Sequence, residues 1–149
     1  MARAPNEKHL EFIEDTITRM SEKSFQTSAW CVTVVTAMFA FVINKDNTKE
    51  IIIASDILAT ALIVLFWGLD AFYLYLEKGY RHLYKIAAGI LPNQQPDFIQ
   101  NYAMEIPTSQ RGMRNFLKAF FSKVARRFYL AMIAIFTLLT LYLFYTLGG

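Results

Sequence analysis

Three long apolar runs, Phe25 to Ile43, Ile51 to Leu76 and Phe128 to Leu147, constrain this chain more than any other feature. Each is about 19 residues or longer, enough to cross ~30 Å of hydrocarbon at ~1.5 Å per residue. Composition matters only through this clustering: 55% hydrophobic and 18% charged residues would suit a soluble domain had they alternated. The runs predict an all-α membrane protein with three transmembrane helices. A soluble bundle of three greasy helices is the alternative, and it would have to bury most of these side chains. The first run does not read as a cleaved signal peptide. It starts late, after a segment charged with both signs, and no small-x-small site follows it.

Basic-residue asymmetry orients the spans. Residues 44–50 form a short outer loop with Lys45 and Lys49, whereas Lys78, Arg81, Lys85, Arg111, Arg114, Lys118, Lys123, Arg126 and Arg127 follow the second run. The richer segment should face the cytoplasm. This places the N-terminus inside and the C-terminus outside, as a multi-pass membrane protein.

The polar segments extend two of the spans. Residues 1–5 read as a disordered start, and Asn6 can cap a helix with Glu7 in its first turn. Through residue 24 this cytoplasmic helix carries Leu10, Ile13, Ile17 and Met20 at 3-4-3 spacing, then runs straight into the first span (25–43). The second helix enters at Ile51 and meets no proline until Pro92, so its span (51–76) continues as a cytoplasmic extension (77–91). From the end of the span into that extension, the helix carries a matching seam of Tyr73, Leu76, Tyr80, Leu83, Ala87 and Ile90. Two antiparallel helices with matched seams and a short connection should pair as a hairpin longer than the bilayer is thick. Pro92 to Pro107 reads as a linker, followed by a basic interfacial helix (108–127) capped by Thr108 or Ser109. Its apolar face would be Met113, Phe116, Phe120 and Val124, and it would lead into the third span (128–147).

Enzyme motifs are missing. His9 and His82 have no ligand-type spacing, Cys31 is alone within the first span, and there is no phosphate loop or nucleophile elbow. No catalysis, metal or cofactor is expected. Polar residues within the second span are more informative. Asp56 and Asp70 are close to four helical turns apart, so they share a face at ~21 Å with Thr60 and Trp67. An ionisable group at depth costs ~2.5–3.5 kcal/mol, so it should face protein or water. Either that edge lines a water-filled path between several copies, or it packs. In the packing alternative, Asp56 would bond to Thr33, Thr36 or Thr137 or reach the nearby interface, and Asp70 would anchor at the inner interface or pair with Lys78 or an arginine. Past the span, Lys78, Arg81, His82 and Lys85 form a basic stripe flanked by Tyr80 and Tyr84, with Arg111, Arg114 and Lys118 as a second group. Such groups hold anionic lipid, the phosphates of a nucleotide or nucleic acid, or a protein partner. Small residues Ala29, Thr33, Ala37 and Ala40 on the first span, and Ala54 and Ala61 on the second, permit close helix contact.

The run Phe66-Trp67-Gly68-Leu69-Asp70-Ala71 with Tyr73, Glu77 and Tyr84, preceded by Met20 to Trp30, resembles small bacterial membrane proteins of SLATT-like type. The resemblance covers roughly Leu10 to Lys85. It implies a transmembrane hairpin flanked by cytoplasmic helices, and a pore-forming effector in nucleotide-signalling anti-phage defence. Hailong-type systems, whose membrane channel is held by an oligonucleotide, are one home for such a chain; the third span is not accounted for by the family pattern.

The resulting expectation is an oligomeric, ion-conducting effector gated from the cytoplasm by a nucleotide or oligonucleotide, disrupting the membrane in abortive infection. Asp56, Thr60, Trp67 and Asp70 would line the pore, and Lys78, Arg81, His82, Lys85, Arg111, Arg114 and Lys118 would take the ligand. A homo-oligomer is required, because three helices do not enclose a pore; a tetramer is the working number. The alternative is a non-conducting membrane adaptor that docks a cytoplasmic partner enzyme.

Overall fold

A computed structural model of the chain describes residues 7–43, 48–91 and 104–146, all of the long elements helical. The anticipated cap Asn6, most of the outer loop, the linker from Pro92 to Ala103 and Leu147 lie outside the described residues. Helix α1 (Glu7–Val42) is followed by α2 (Lys49–Ala87), a 3-10 turn (Thr108–Gln110), α3 (Met113–Phe120) and α4 (Lys123–Thr146). Three of these, α1, α2 and α4, are long and apolar enough to cross a membrane.

Helix α1 has 36 residues and contains no glycine or proline, so nothing interrupts it between its charged and apolar halves. It is ~54 Å long at 1.5 Å per residue. Helix α2 begins two residues before the apolar run, where the Thr48 side chain accepts a bond from the Ile51 amide and caps the first turn. Its other end differs from the expected one. The helix stops at Ala87 rather than running to Leu91, because Gly89 adopts φ +68°. The Gly89 amide bonds to the Ile86 carbonyl at 3.0 Å, and the Ile90 amide reaches the Lys85 carbonyl at 2.9 Å. This pair of reversed bonds closes the last turn around a left-handed glycine. Ile90 therefore leaves the expected seam and is 61% exposed.

The hairpin forms as expected: α1 and α2 pack along their length. Ile13 and Leu83 are buried in the charged halves, and Cys31, Val35, Ala59 and Ile63 in the apolar halves. Helix α4 rests mainly on α2 and touches α1 much less. Its Ala125, Tyr129 and Phe136 complete the central cluster.

The bundle leaves its apolar surface open. Only 17%, 22% and 17% of the residues in the apolar windows of α1, α2 and α4 are buried. Ile57, Leu65, Ile135 and Leu138 are each more than half exposed. A soluble protein does not present so large a continuous apolar surface to water. The chain is a membrane protein, and the greasy soluble bundle is excluded on this ground.

The interfacial helix expected over 108–127 is broken twice. Thr108 and Ser109 do not cap it but belong to the 3-10 turn, and the N-cap of α3 is Gly112 at φ +117°. A second break at Phe121–Ser122 separates α3 from α4. Of the four side chains expected on one apolar face, Phe116 and Phe120 lean on α2, whereas Met113 and Val124 are 71% and 81% exposed.

The chain leading into α3 is fixed to α2 by close contact. A Cβ placed on Gly79 would lie 2.8 to 3.2 Å from the Ile106 side chain. Gly79→Val is therefore expected to lift residues 104–112 off α2 without unwinding the hairpin. Limited proteolysis should then cut that segment several times faster than in wild type, and unchanged cleavage would show that Ile106 is not held there.

Candidate functional site

At the stalk end of the spans, three helices meet around two side chains of α2. Trp67 and Asp70 are one helical turn apart and both are buried, at 7% and 4% exposure. They face α1 on one side and the α3–α4 elbow on the other.

Trp67 organises the aromatic half of this junction. Its ring lies parallel to Phe120 at 4.5 Å and parallel to Tyr129 at 5.8 Å between centroids, with an interplanar angle of 11° in both pairs. Phe121 meets it edge-on at 6.5 Å. The Trp67 indole N–H donates to the Phe120 carbonyl at 2.9 Å. The last carbonyls of a helix have no partner within it, and in an apolar setting an unmet one is costly. The indole thus ends α3 and lets the chain break at Phe121–Ser122.

Asp70 organises the polar half. Its carboxyl accepts a bond from Ser24 of α1, and the buried Tyr129 of α4 lies beside it. Ser28, one turn along α1 from Ser24, lies 3.2 Å from the Tyr129 oxygen. Either hydroxyl of that pair can donate. Ser24 with Asp70 ties α1 to α2, and Ser28 with Tyr129 ties α1 to α4 at the same level, with Tyr129 wholly buried. Among the described residues, neither Lys78 nor an arginine pairs with Asp70; its partner is Ser24, which the spacing of α2 alone does not indicate. Ser24 and Ser28 are spaced i, i+4 on the same side of α1 as Cys31. That spacing was the one available signal.

Four turns away, Thr140 of α4 donates to Asp56 at 2.9 Å. The expected partners were Thr33, Thr36 or Thr137, and Thr140 lies on the next turn after the last of these. Asp56 is only half-buried, beside an open groove lined by Ile52, Ile53, Ile57, Leu141 and Phe144. Thr60 is half-buried between the two acids. The four residues expected to line a pore thus share one face of α2, half-open at Asp56 and Thr60 and buried at Trp67 and Asp70. Within one chain, Trp67 and Asp70 are enclosed by α1, α3 and α4.

The expected ligand residues are divided. Lys78, Arg81 and Lys85 are exposed on one side of the stalk, with Arg81 held by Glu77 at 2.7 Å across one turn. His82 is not part of that exposed row. It is half-buried, and its Nε2 is buried without a hydrogen-bond partner. Arg111 is turned back on its own segment, donating to the Ile106 carbonyl at 2.6 Å and to Glu105 at 3.0 Å. Arg114 and Lys118 are exposed on α3. The amide of Gly112 donates to the Tyr75 hydroxyl at 3.3 Å, which holds the start of α3 against α2 just above the stalk row. Among the described residues, no three histidine, cysteine, aspartate or glutamate side chains converge as a metal site would require.

Comparison with protein-family models, with curated proteins and with solved structures finds no match to this chain.

Proposed function

We propose that the protein is a homo-oligomeric effector of the bacterial inner membrane that passes ions when a phosphate-bearing ligand engages its cytoplasmic stalk. The N-terminus and stalk are cytoplasmic in this reading, and the end of α4 is outside, as the basic-residue asymmetry requires. The observation that carries it is the continuity of α2. A single 39-residue helix holds the exposed Lys78, Arg81 and Lys85 row at one end and the Trp67–Asp70 junction within the spans. A ligand that pulls on the row therefore loads the junction directly, with no hinge between them. The small residues Ala29, Thr33, Ala37 and Ala40 of α1, and Ala54 and Ala61 of α2, support self-association. All six are exposed, so the close contacts they permit are not made within one chain. The ion path runs between copies, because the centre of each bundle is filled by Trp67, Tyr129 and Phe136. Asp56, half-open beside its groove, is the acid of the stripe left to influence that path. The ligand class, a nucleotide or oligonucleotide, and a role in anti-phage defence rest on the resemblance to SLATT-like proteins.

One observation favours a second reading, a non-conducting membrane adaptor that docks a cytoplasmic enzyme. Both acids of the spans bond to the chain's own side chains, as packing residues do.

Reconstitution into liposomes separates the two. With a short single-stranded oligonucleotide as probe, wild type should release potassium and bind with a log–log salt slope near −2, from three contacts at ~0.7 each. Reversing Lys78, Arg81 and Lys85 to glutamate should weaken binding by ~100-fold or more. Asp56→Asn should alter cation preference. Absence of flux with and without probe, together with an unchanged membrane potential in expressing cells, favours the adaptor.

A further inference from the structure

The elbow where α3 meets α4 combines two surfaces that the proposed ligand row does not use. The buried side of α3 is spent on α2 through Phe116, Ala119 and Phe120. On its open side, Met113, Leu117 and Phe121 recur every four residues and are 71%, 45% and 55% exposed. Arg114 and Lys118 form the adjacent exposed row, also four apart. Past the break, the first turns of α4 repeat the pairing. Val124 is 81% exposed, and Lys123, Arg126 and Arg127 around it are exposed as well. Acidic residues are absent from the chain between Pro107 and the end of α4. The two ion pairs among the described residues use Arg81 and Arg111, and neither involves these five cations.

We infer that this elbow is a binding site for anionic phospholipid. Met113, Leu117, Phe121 and Val124 enter the acyl boundary, while Arg114, Lys118, Lys123, Arg126 and Arg127 hold headgroup phosphates. Three observations make lipid the occupant rather than a soluble partner. First, the apolar row is continuous with the lipid-facing surface of α4, whose Leu130, Ile135 and Leu138 are exposed above it. Second, the Trp67–Phe120 bond and stack hold α3 at the level of the apolar run of α2, beside its stalk end. Third, five cations without a counter-charge in their own segment complement an anionic surface, each contributing ~1 kcal/mol near it. Rows of apolar and basic side chains lying side by side are what an interfacial helix presents to a bilayer. The site is distinct from topology signalling, which needs lysines and arginines in the segment but neither their exposure nor the apolar row.

The test uses the full chain with Cys31→Ala and Leu117→Cys, labelled with a bimane fluorophore, in bilayers of phosphatidylcholine containing one-fifth phosphatidylglycerol. Either the minor anionic lipid or an equal share of the zwitterionic lipid carries bromine on its acyl chains. Brominated phosphatidylglycerol should quench at least twofold more than brominated phosphatidylcholine. That excess should vanish when Lys118, Lys123, Arg126 and Arg127 are changed to glutamine, and should shrink in molar salt. A label at Leu138, in the middle of α4, serves as control and should show no preference between the lipids. Folding of the glutamine variant is checked by its unchanged quenching at Leu138. Equal quenching by the two lipids at position 117 would overturn the inference, as would no quenching there by either. Loss of the anionic excess on adding the soluble oligonucleotide at low lipid charge would likewise overturn it, since the cations would then serve the soluble phosphate.

Discussion

Trp67→Ala is expected to release the α3–α4 elbow from the hairpin while leaving α1 and α2 paired. The substitution removes the ring that lies parallel to Phe120 and Tyr129, and it removes the donor to the Phe120 carbonyl. Truncating a buried tryptophan costs ~3–5 kcal/mol in packed interiors. Acyl chains can refill part of the vacated space, but they offer no hydrogen-bond donor to the carbonyl left behind. That group alone is worth ~1–3 kcal/mol when buried without a partner. The unfolding midpoint in detergent should fall sharply, and protease should cut at Phe121–Ser122 while far-ultraviolet dichroism stays near wild type. Trp67→Phe separates the two effects. It keeps an aromatic ring and loses the bond, so its loss should be about a third of that of alanine. An alanine variant with a wild-type midpoint and a protected elbow would mean that α3 is held by other contacts.

The second large effect concerns the bonds that join all three spans. Tyr129→Phe keeps the ring against Trp67 and deletes one hydroxyl. Ser28 then loses the phenol, while Asp70 keeps Ser24. Leaving a buried polar group without its partner costs ~1–3 kcal/mol, so a loss of that order is expected from one oxygen atom. Asp70→Asn preserves shape and one acceptor, and should cost less. Because the two side chains sit together at one buried junction, the double variant should lose less than the sum of the singles, by ~1–2 kcal/mol. Titration with a denaturing detergent, read by tryptophan fluorescence, measures all four proteins. Additive losses would show that Tyr129 and Asp70 are not coupled in the membrane-embedded state.

Both effects locate the functional weight of α2 differently from a linear reading of its residues. Asp56, Thr60, Trp67 and Asp70 do share a face, as helical spacing requires. Which neighbour that face meets is not encoded in spacing. A stripe of polar residues on a transmembrane helix is the same whether it borders water between copies or hydroxyl groups within one chain. Here Ser24, Ser28, Tyr129 and Thr140 supply those hydroxyls, and they come from positions 46 to 101 residues apart along the chain from their partners. The stalk row was more legible. Lys78, Arg81 and Lys85 stay exposed because three and four residue intervals keep them on one side, away from Gly79 and Leu83. His82 fell on the buried side of the same count, since it follows Arg81 by a single residue and is rotated ~100° from it.

Helix ends divide in the same way. The stop at Ala87 was present in the residues as Gly89, but glycine is permissive rather than compulsory, and Pro92 looked like the stronger stop. The break at Phe121–Ser122 had only a weak local signal, Ser122, whose type favours a helix start and whose carbonyl accepts the first bond of α4 from Arg126. It exists because a side chain of another helix, Trp67, satisfies the carbonyl that the break exposes.

What the residues determined by themselves was the solvent: apolar runs of that length belong in lipid, and a backbone in lipid must be helical to satisfy its own polar groups. They also determined the hairpin, since seams at matching intervals on adjoining segments have one antiparallel way to meet. Only the tertiary structure decided that the acidic edge of α2 is closed by α1 and α4 at Asp70 and left half-open at Asp56, and that the opposite edge carries cations and small residues. The physical reason is that, within lipid, apolar surface does not choose between helices. Hydrogen bonds and close packing choose, and these depend on which distant side chains arrive opposite one another.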